Sequence, residues 1–316
     1  MIHRRVFFKH AGVYAAGTVL LPACTSSENK AQTSASDTTS TQTIGTTGEP
    51  LGPIGLQLYS VKDVIEDDLK GTLQQLANFG YQEVESYPGQ EGHYFGMEPK
   101  EFATMLSDMG LTLVSSHFGS GTRDEQVDAW QRATLLSRFD ELVERAAETG
   151  QSYLTCSSLQ ESLRQTPDDL KEMAERFNQA GETCRQAGLQ FAYHNHAFEF
   201  ETIGDTMMYD FMLENTDPEL VQWEMDMYWV VAGGQDPIAY LNKYPNRFPL
   251  GHVKDMDRED RTKNANIGQG SIDYAKVLDV AKEAGMKHFL VEQETFAGTP
   301  LDAMQENYQY LSDIKV

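Results

Sequence analysis

The strongest constraint on the fold is a repeat. A short apolar run, a segment with helical apolar spacing and a glycine stop recur about eight times at roughly thirty-residue intervals, the size of a βαβ unit. Ile54–Tyr59 reads as the first strand, and Asp67 to Phe79 as a helix closed by Gly80. Glu83–Tyr87 is a second strand, Glu98–Met109 a helix stopped by Gly110, and Leu111–His117 a third strand. The spacing then predicts one long helix over Asp124–Thr149, ended by Gly150, and a fourth strand over Tyr153–Ser157. Pro167 starts a helix that Gly188 stops. Further helices are expected over Asp205–Asn215, Pro237–Tyr244, Ser271–Ala284 and Leu301 to Ile314. Between them the runs Leu189–Tyr193, Leu220–Trp223, Phe248–Gly251 and His288–Val291 have the length of buried strands. Alternating strands and helices imply a parallel sheet. Eight units in roughly 260 residues favour closure into an α/β (β/α)8 barrel over an open doubly wound sheet. No Gly-x-Gly-x-x-Gly follows the first strand, as a dinucleotide fold would show. Gly268-Gln269-Gly270 falls late and reads as a turn into the Ser271 helix.

The N-terminal residues carry different information. Residues 1–24 combine His3-Arg4-Arg5, an apolar segment reaching Leu20 and a Leu21-Pro22-Ala23-Cys24 end, the pattern of a secretory signal. The paired arginines resemble a twin-arginine signal, and the end resembles a lipoprotein processing site with Cys24 as the lipidated residue. Residues 25–50 are Ser, Thr, Gln, Gly and Asp with hardly an apolar side chain, and read as a flexible tether. Residues 51–316 are then one catalytic domain on an exported, periplasmic protein, held to a membrane only by the anchor. The net charge of −23 excludes a nucleic-acid footprint and disfavours direct docking on anionic lipid. Cys156 and Cys184 fit a single disulfide or two buried thiols equally well.

Chemistry concentrates at the ends of the last four strand-like runs: His194-Asn195-His196, Glu224-Met225-Asp226, His252-Val253-Lys254-Asp255 and Glu292-Gln293-Glu294. Parallel neighbours would bring these ends together at the mouth of a barrel. Imidazole and carboxylate are the ligands a borderline divalent metal takes. Glu224 and Asp226 share a strand face, and two adjacent carboxylates need a cation or a proton between them. His194 and His196 likewise share a face, as do Glu292 and Glu294, of which one fits a ligand and the other a base or the rim. Gln57 and Glu85, at the ends of the first two strands, fit the binding of substrate hydroxyls. Tyr59, Phe118, Tyr228 and Trp229 fit an apolar face for a sugar ring.

These motifs, with Ile54–Ser60, Glu83-Val84-Glu85, Tyr193–His196, Asp226–Trp229 and Val291–Glu294, resemble the xylose-isomerase-like barrel superfamily of sugar phosphate isomerases and epimerases, inosose dehydratases and abasic-site endonucleases. The resemblance runs from about Ile54 to the C-terminus. It implies a divalent metal, Mn2+ as first choice with Mg2+, Co2+ or Zn2+ as alternatives, on His194, Asp226, His252 and Glu292. His194 stands where most relatives carry a Glu, which leaves His196 or Glu199 as substitute ligands. Trp229 stands where the endonucleases carry a further zinc-ligating His, which argues against DNA repair. His117 falls where the family often has a substrate-contacting His, and His196 and Trp229 join it in substrate binding.

The implied reaction is metal-assisted proton abstraction beside a carbonyl, giving an enediolate. Glu292 or Glu294 is the expected base, with His117 or Lys254 as acid or oxyanion partner. Isomerisation or epimerisation of a non-phosphorylated sugar or keto-sugar is the leading expectation. Dehydration, hydration or lyase chemistry on the same centre is the alternative, and a non-catalytic sugar-binding lipoprotein the rival from another class.

Overall fold

The computed structural model describes residues 48–316. The expected export signal, Cys24 and all but the last three residues of the expected tether lie outside them. Glu49 and Pro50 already pair with the C-terminus: Val316 donates its N–H to the Glu49 carbonyl at 3.0 Å, and Pro50 bridges Lys315. No helix among the described residues is long and apolar enough to cross a membrane.

Eight strands close a parallel barrel: β1 (Ile54–Gln57), β2 (Glu83–Ser86), β3 (Thr112–Phe118), β4 (Tyr153–Cys156), β5 (Gln190–His194), β6 (Val221–Asp226), β7 (Leu250–Val253) and β8 (His288–Val291). Each pairs with its neighbours in sequence and β8 closes on β1. Eight principal helices follow them: α1 (Leu69–Phe79), α2 (Pro99–Asp108), α3 (Phe139–Ala147), α4 (Pro167–Gln186), α5 (Met208–Asn215), α6 (Pro237–Lys243), α7 (Tyr274–Glu283) and α8 (Pro300–Asp313). Local chemistry sets their ends. Thr166 and Asp169 form a reciprocal capping box at the start of α4. Gly80 ends α1 at φ 112°, a conformation that costs a side chain dearly.

Strand alternation divides the apolar residues into two cores. Leu56, Val84, Leu154, Phe191, Tyr193, Trp223, Val253 and Val291 belong to the large core shared with the helices. The intervening positions Val114, Tyr153, Ala192, Leu250 and Leu290 form a separate plug inside the barrel. Gly55 faces that plug, where a Cβ would collide with the Leu290 side chain. Continuing the inward alternation toward the C-terminal ends meets polar residues: Gln57, Glu85, His194, Glu224, Asp226, His252 and Glu292. Register aligns them, with Gln57 beside Glu85, His194 beside Glu224, and Asp226 beside His252.

Two expectations need correcting. The helix expected over Asp124–Thr149 is only Phe139–Ala147; a 3-10 turn at Trp130–Arg132 precedes it, and Arg138 sits at φ 59°. Leu135 and Leu136 donate backbone bonds to Gly119 and Ser120 instead, so tertiary pairing overrides the helical spacing. The first strand ends at Gln57, after which Leu58–Val61 turns as a 3-10 helix capped by the Gln57 side chain. Cys156 and Cys184 are buried free thiols, not a disulfide. The Gly268–Gly270 turn precedes the last turn into α7, and its two glycine amides donate to Asp255 Oδ2 at 2.9 and 3.0 Å.

Candidate active site

Above the apolar plug, polar residues occupy two levels. On the upper level, His194 Nδ1 lies 3.1 Å from the Ser157 carbonyl and donates to it, which turns Nε2 toward the interior of the site. That Nε2 lies 3.6 Å from Asp226 Oδ2. Both atoms are buried and neither has a hydrogen-bond partner among the described residues. The other oxygen of Asp226 accepts the Trp229 amide at 2.9 Å and caps the turn Met227–Ala232. His252 Nδ1 lies 3.1 Å from Glu292 Oε2 and 3.8 Å from Asp226 Oδ2. One donor atom from each of His194, Asp226, His252 and Glu292 falls within 4.8 Å of the others. Two imidazoles and two carboxylates, with a buried ring nitrogen facing a buried unpaired oxygen, are a donor set that fits a divalent cation.

Lys254 sits against this level, 3.7 Å from Asp226, 3.1 Å from Glu292 and paired with Glu294. Burial works to neutralise the ammonium, but Glu292, Asp226 and Glu294 outweigh it and hold the lysine well above its ordinary pKa. It is a fixed positive charge, suited to an oxyanion and unsuited to proton donation. Burial likewise opposes ionisation of Asp226, yet Lys254 and the two imidazoles bring its pKa down to about 2.

On the lower level, Gln57 Nε2 donates to Glu85 Oε2 at 2.7 Å. Glu85 Oε2 also meets His252 Nε2 at 2.9 Å and His117 Nε2 at 3.0 Å. His117 Nε2 is 2.7 Å from Glu224 Oε2. Burial would discharge His117, but Glu85 and Glu224 raise it to about 10. Gln57 and Glu85 are fully buried, and neither lines the cavity above. The expected contact of these two with substrate hydroxyls therefore gives way to a supporting place beneath the site.

A cavity of about 300 Å3 opens above the upper level. His117, His194, His196, Trp229, Glu292 and Glu294 line it together with Tyr59. Tyr87, Pro88, Ser157 and Ser158 line it as well and were not anticipated. They sit in loops just past β2 and β4, where no polar cluster marked the strand ends; only their place after a strand could have pointed to them. Phe118 does not reach the mouth. It packs against Phe139 and Phe191 between barrel and helices. Tyr228 is buried, with its hydroxyl on the Arg261 carbonyl. Glu199, the substitute ligand, is turned away, accepting Tyr193 Oη at 2.6 Å and the His196 amide at 2.8 Å. His196 stays on the cavity wall, stacked on Phe198, and burial lowers its pKa to about 3.

Residues 73–314 match the family model described as "Xylose isomerase-like TIM barrel". The chain belongs to the xylose isomerase-like TIM barrel family. The crystal structure of a sugar phosphate isomerase/epimerase from Parabacteroides distasonis is 30% identical and superposes with a TM-score of 0.70, covering 90% of this chain and all of that one. An inosose dehydratase of Lacticaseibacillus casei is 24% identical over 71% of this chain and 84% of its own length. The IOLI protein, solved with a bound zinc atom, shares the fold at 15% identity and a TM-score of 0.66 over 83% of this chain and 97% of its own. The sugar isomerase and epimerase family and its barrel, both anticipated from the sequence, are thereby established.

Proposed function

We propose that the protein is a divalent-metal-dependent isomerase or epimerase of non-phosphorylated sugars or keto-sugars. One observation carries the reading: the unpartnered, buried His194 Nε2 and Asp226 Oδ2 face each other 3.6 Å apart beneath the cavity. His194, Asp226, His252 and Glu292 would hold the cation, which supplies Lewis-acid polarisation of a substrate carbonyl. The zinc of the IOLI protein and the imidazole-rich donor set make Zn2+ a full competitor to Mn2+.

The remaining steps belong to side chains. Glu294, half-buried at the cavity wall, takes the proton beside the carbonyl. Lys254 stabilises the negative charge that this leaves on the substrate. His117 spends Nε2 on the carboxylates below, so its Nδ1 is the nitrogen left to donate toward the cavity. A proton taken at Glu294 and returned from the His117 side gives an epimer; one returned to the adjacent carbon gives an isomer. Tyr59, Tyr87 and Trp229 provide the apolar wall for the ring. Among the described residues no Arg or Lys lines the cavity, which supports a substrate without phosphate.

Elimination from a keto-sugar is the second reading, favoured by relatives named inosose dehydratase. There His117 would protonate the departing hydroxyl. Incubation with Mn2+ or Zn2+ in D2O and a panel of aldoses, ketoses and 3-keto-glycosides, followed by proton NMR, tests both. Deuterium incorporation that disappears in Asp226→Ala supports the proposal, and the product separates the two readings. Absence of exchange with every sugar would leave a binding protein. The proposal includes export and lipidation at Cys24; radiolabelled palmitate should enter the protein in cells and fail to enter Cys24→Ser.

A further inference from the structure

The lower level of the site has a donor set of its own. Glu85 from β2, His117 from β3, Glu224 from β6 and His252 from β7 each place one donor atom within 4.8 Å of the other three. All four residues are buried. We propose that they hold a second divalent cation beneath the first, with His252 giving up both ring protons to bridge the two ions as an imidazolate.

Two observations support this. The donors are close: His117 Nε2 to Glu224 Oε2 is 2.7 Å, His117 Nε2 to Glu85 Oε2 3.0 Å, His252 Nε2 to Glu85 Oε2 2.9 Å and His252 Nε2 to Glu224 Oε1 3.3 Å. Donors about a tetrahedral ion with bonds of about 2.0–2.1 Å lie about 3.3 Å apart, so a small expansion seats one. Next, Glu85 Oε1 and Glu224 Oε1 are both buried without a hydrogen-bond partner among the described residues, an expensive arrangement that a cation relieves. Gln57 meanwhile holds the other oxygen of Glu85, as an outer partner orients a ligating carboxylate.

Two nitrogens and two carboxylate oxygens, all on buried residues, make a donor set of the kind Zn2+ takes. This inference shares only His252 with the upper site.

The test counts ions. The full-length protein is stripped with chelator, reloaded with Zn2+, desalted, and measured by native and inductively coupled plasma mass spectrometry. The expected result is two ions per chain in the wild type, one in Asp226→Ala and one in Glu224→Gln. A single wild-type ion that Asp226→Ala abolishes and Glu224→Gln retains overturns the second site and keeps the upper one. A single ion that survives Asp226→Ala and disappears in Glu224→Gln keeps the lower site and overturns the upper one. Circular dichroism checks that the variants fold; if Glu224→Gln does not, one ion in the wild type that Asp226→Ala abolishes still overturns the proposal.

Discussion

Asp226 divides its two oxygens between two jobs, and the division can be measured. Oδ1 caps the Met227–Ala232 turn through the Trp229 amide, while Oδ2 points at His194 without a partner. Asp226→Asn keeps a capping oxygen but loses the charge, whereas Asp226→Ala loses both. Zinc affinity, measured by competition with a chromophoric chelator, should fall at least tenfold in either variant. The metal-free melting temperature should fall further in Asp226→Ala, because a lost cap costs about 1 kcal/mol. Glu199 offers a separate test away from the donor atoms. Burial raises its carboxyl to about 8, so the folded state holds a proton that the unfolded chain releases above its ordinary value. Its stabilisation is therefore complete below the unfolded pKa and is lost as pH rises toward 8. Glu199→Gln imitates the protonated acid, with Oε1 accepting the His196 amide and Nε2 reaching Tyr193. Denaturation between pH 5 and 8 should show a wild-type decline of up to about 1.4 kcal/mol per pH unit that the variant lacks. The upper site was legible at this scale because His194, Asp226, His252 and Glu292 occupy inward positions of an alternation that runs through the sequence. Glu199 and Glu85 were misplaced because residue type does not say whether a carboxylate faces substrate or a neighbour.

At the level of elements, strand alternation explains why the barrel was readable and the loop after β3 was not. Each strand carries outward apolar residues for the helices, and five of the eight add an inward apolar residue to the plug, which is a local pattern. The Asp124–Arg138 segment has helical apolar spacing too, but its backbone donors go to Gly119 and Ser120, partners no local pattern reveals. Arg123 fastens the start of this segment to α4 through Asp169 and Glu172, both at 2.8 Å. Inside the barrel the tolerance is small. Gly55→Ala would press a methyl group onto Leu290 and within 3.1 Å of the Glu83 Cβ. Overpacking of this kind costs about 1–3 kcal/mol, so urea denaturation should shift to a lower midpoint with an unchanged slope. Thr166→Ala, which breaks the capping box of α4, should cost about 1 kcal/mol by the same measurement.

For the molecule as a whole, the buried charges tie folding to ion binding. Glu85, Glu224, Asp226 and Glu292 surround His252, and Lys254 with His117 and His252 supplies the compensating charge. These residues come from five strands or the positions just past them, β2, β3, β6, β7 and β8, so the donor set exists only when the barrel is closed. An ion that binds the closed barrel and not the unfolded chain stabilises it by about 2.7 kcal/mol at a hundred times its dissociation constant. In a domain of this size that corresponds to roughly 5–10 °C in melting temperature. Differential scanning calorimetry with saturating Zn2+ and with excess chelator should therefore differ by that amount in the wild type. Any second ion adds its own increment. The shift should shrink in Asp226→Asn, where one oxyanion of the upper set is gone, and it should vanish in His252→Ala, which removes the ring that both donor sets share. A wild-type melting temperature indifferent to chelator would mean that Lys254 and the imidazolium groups balance the carboxylates unaided. The cluster would then be a network of ion pairs, and the case for metal-assisted chemistry at this barrel mouth would lose its foundation.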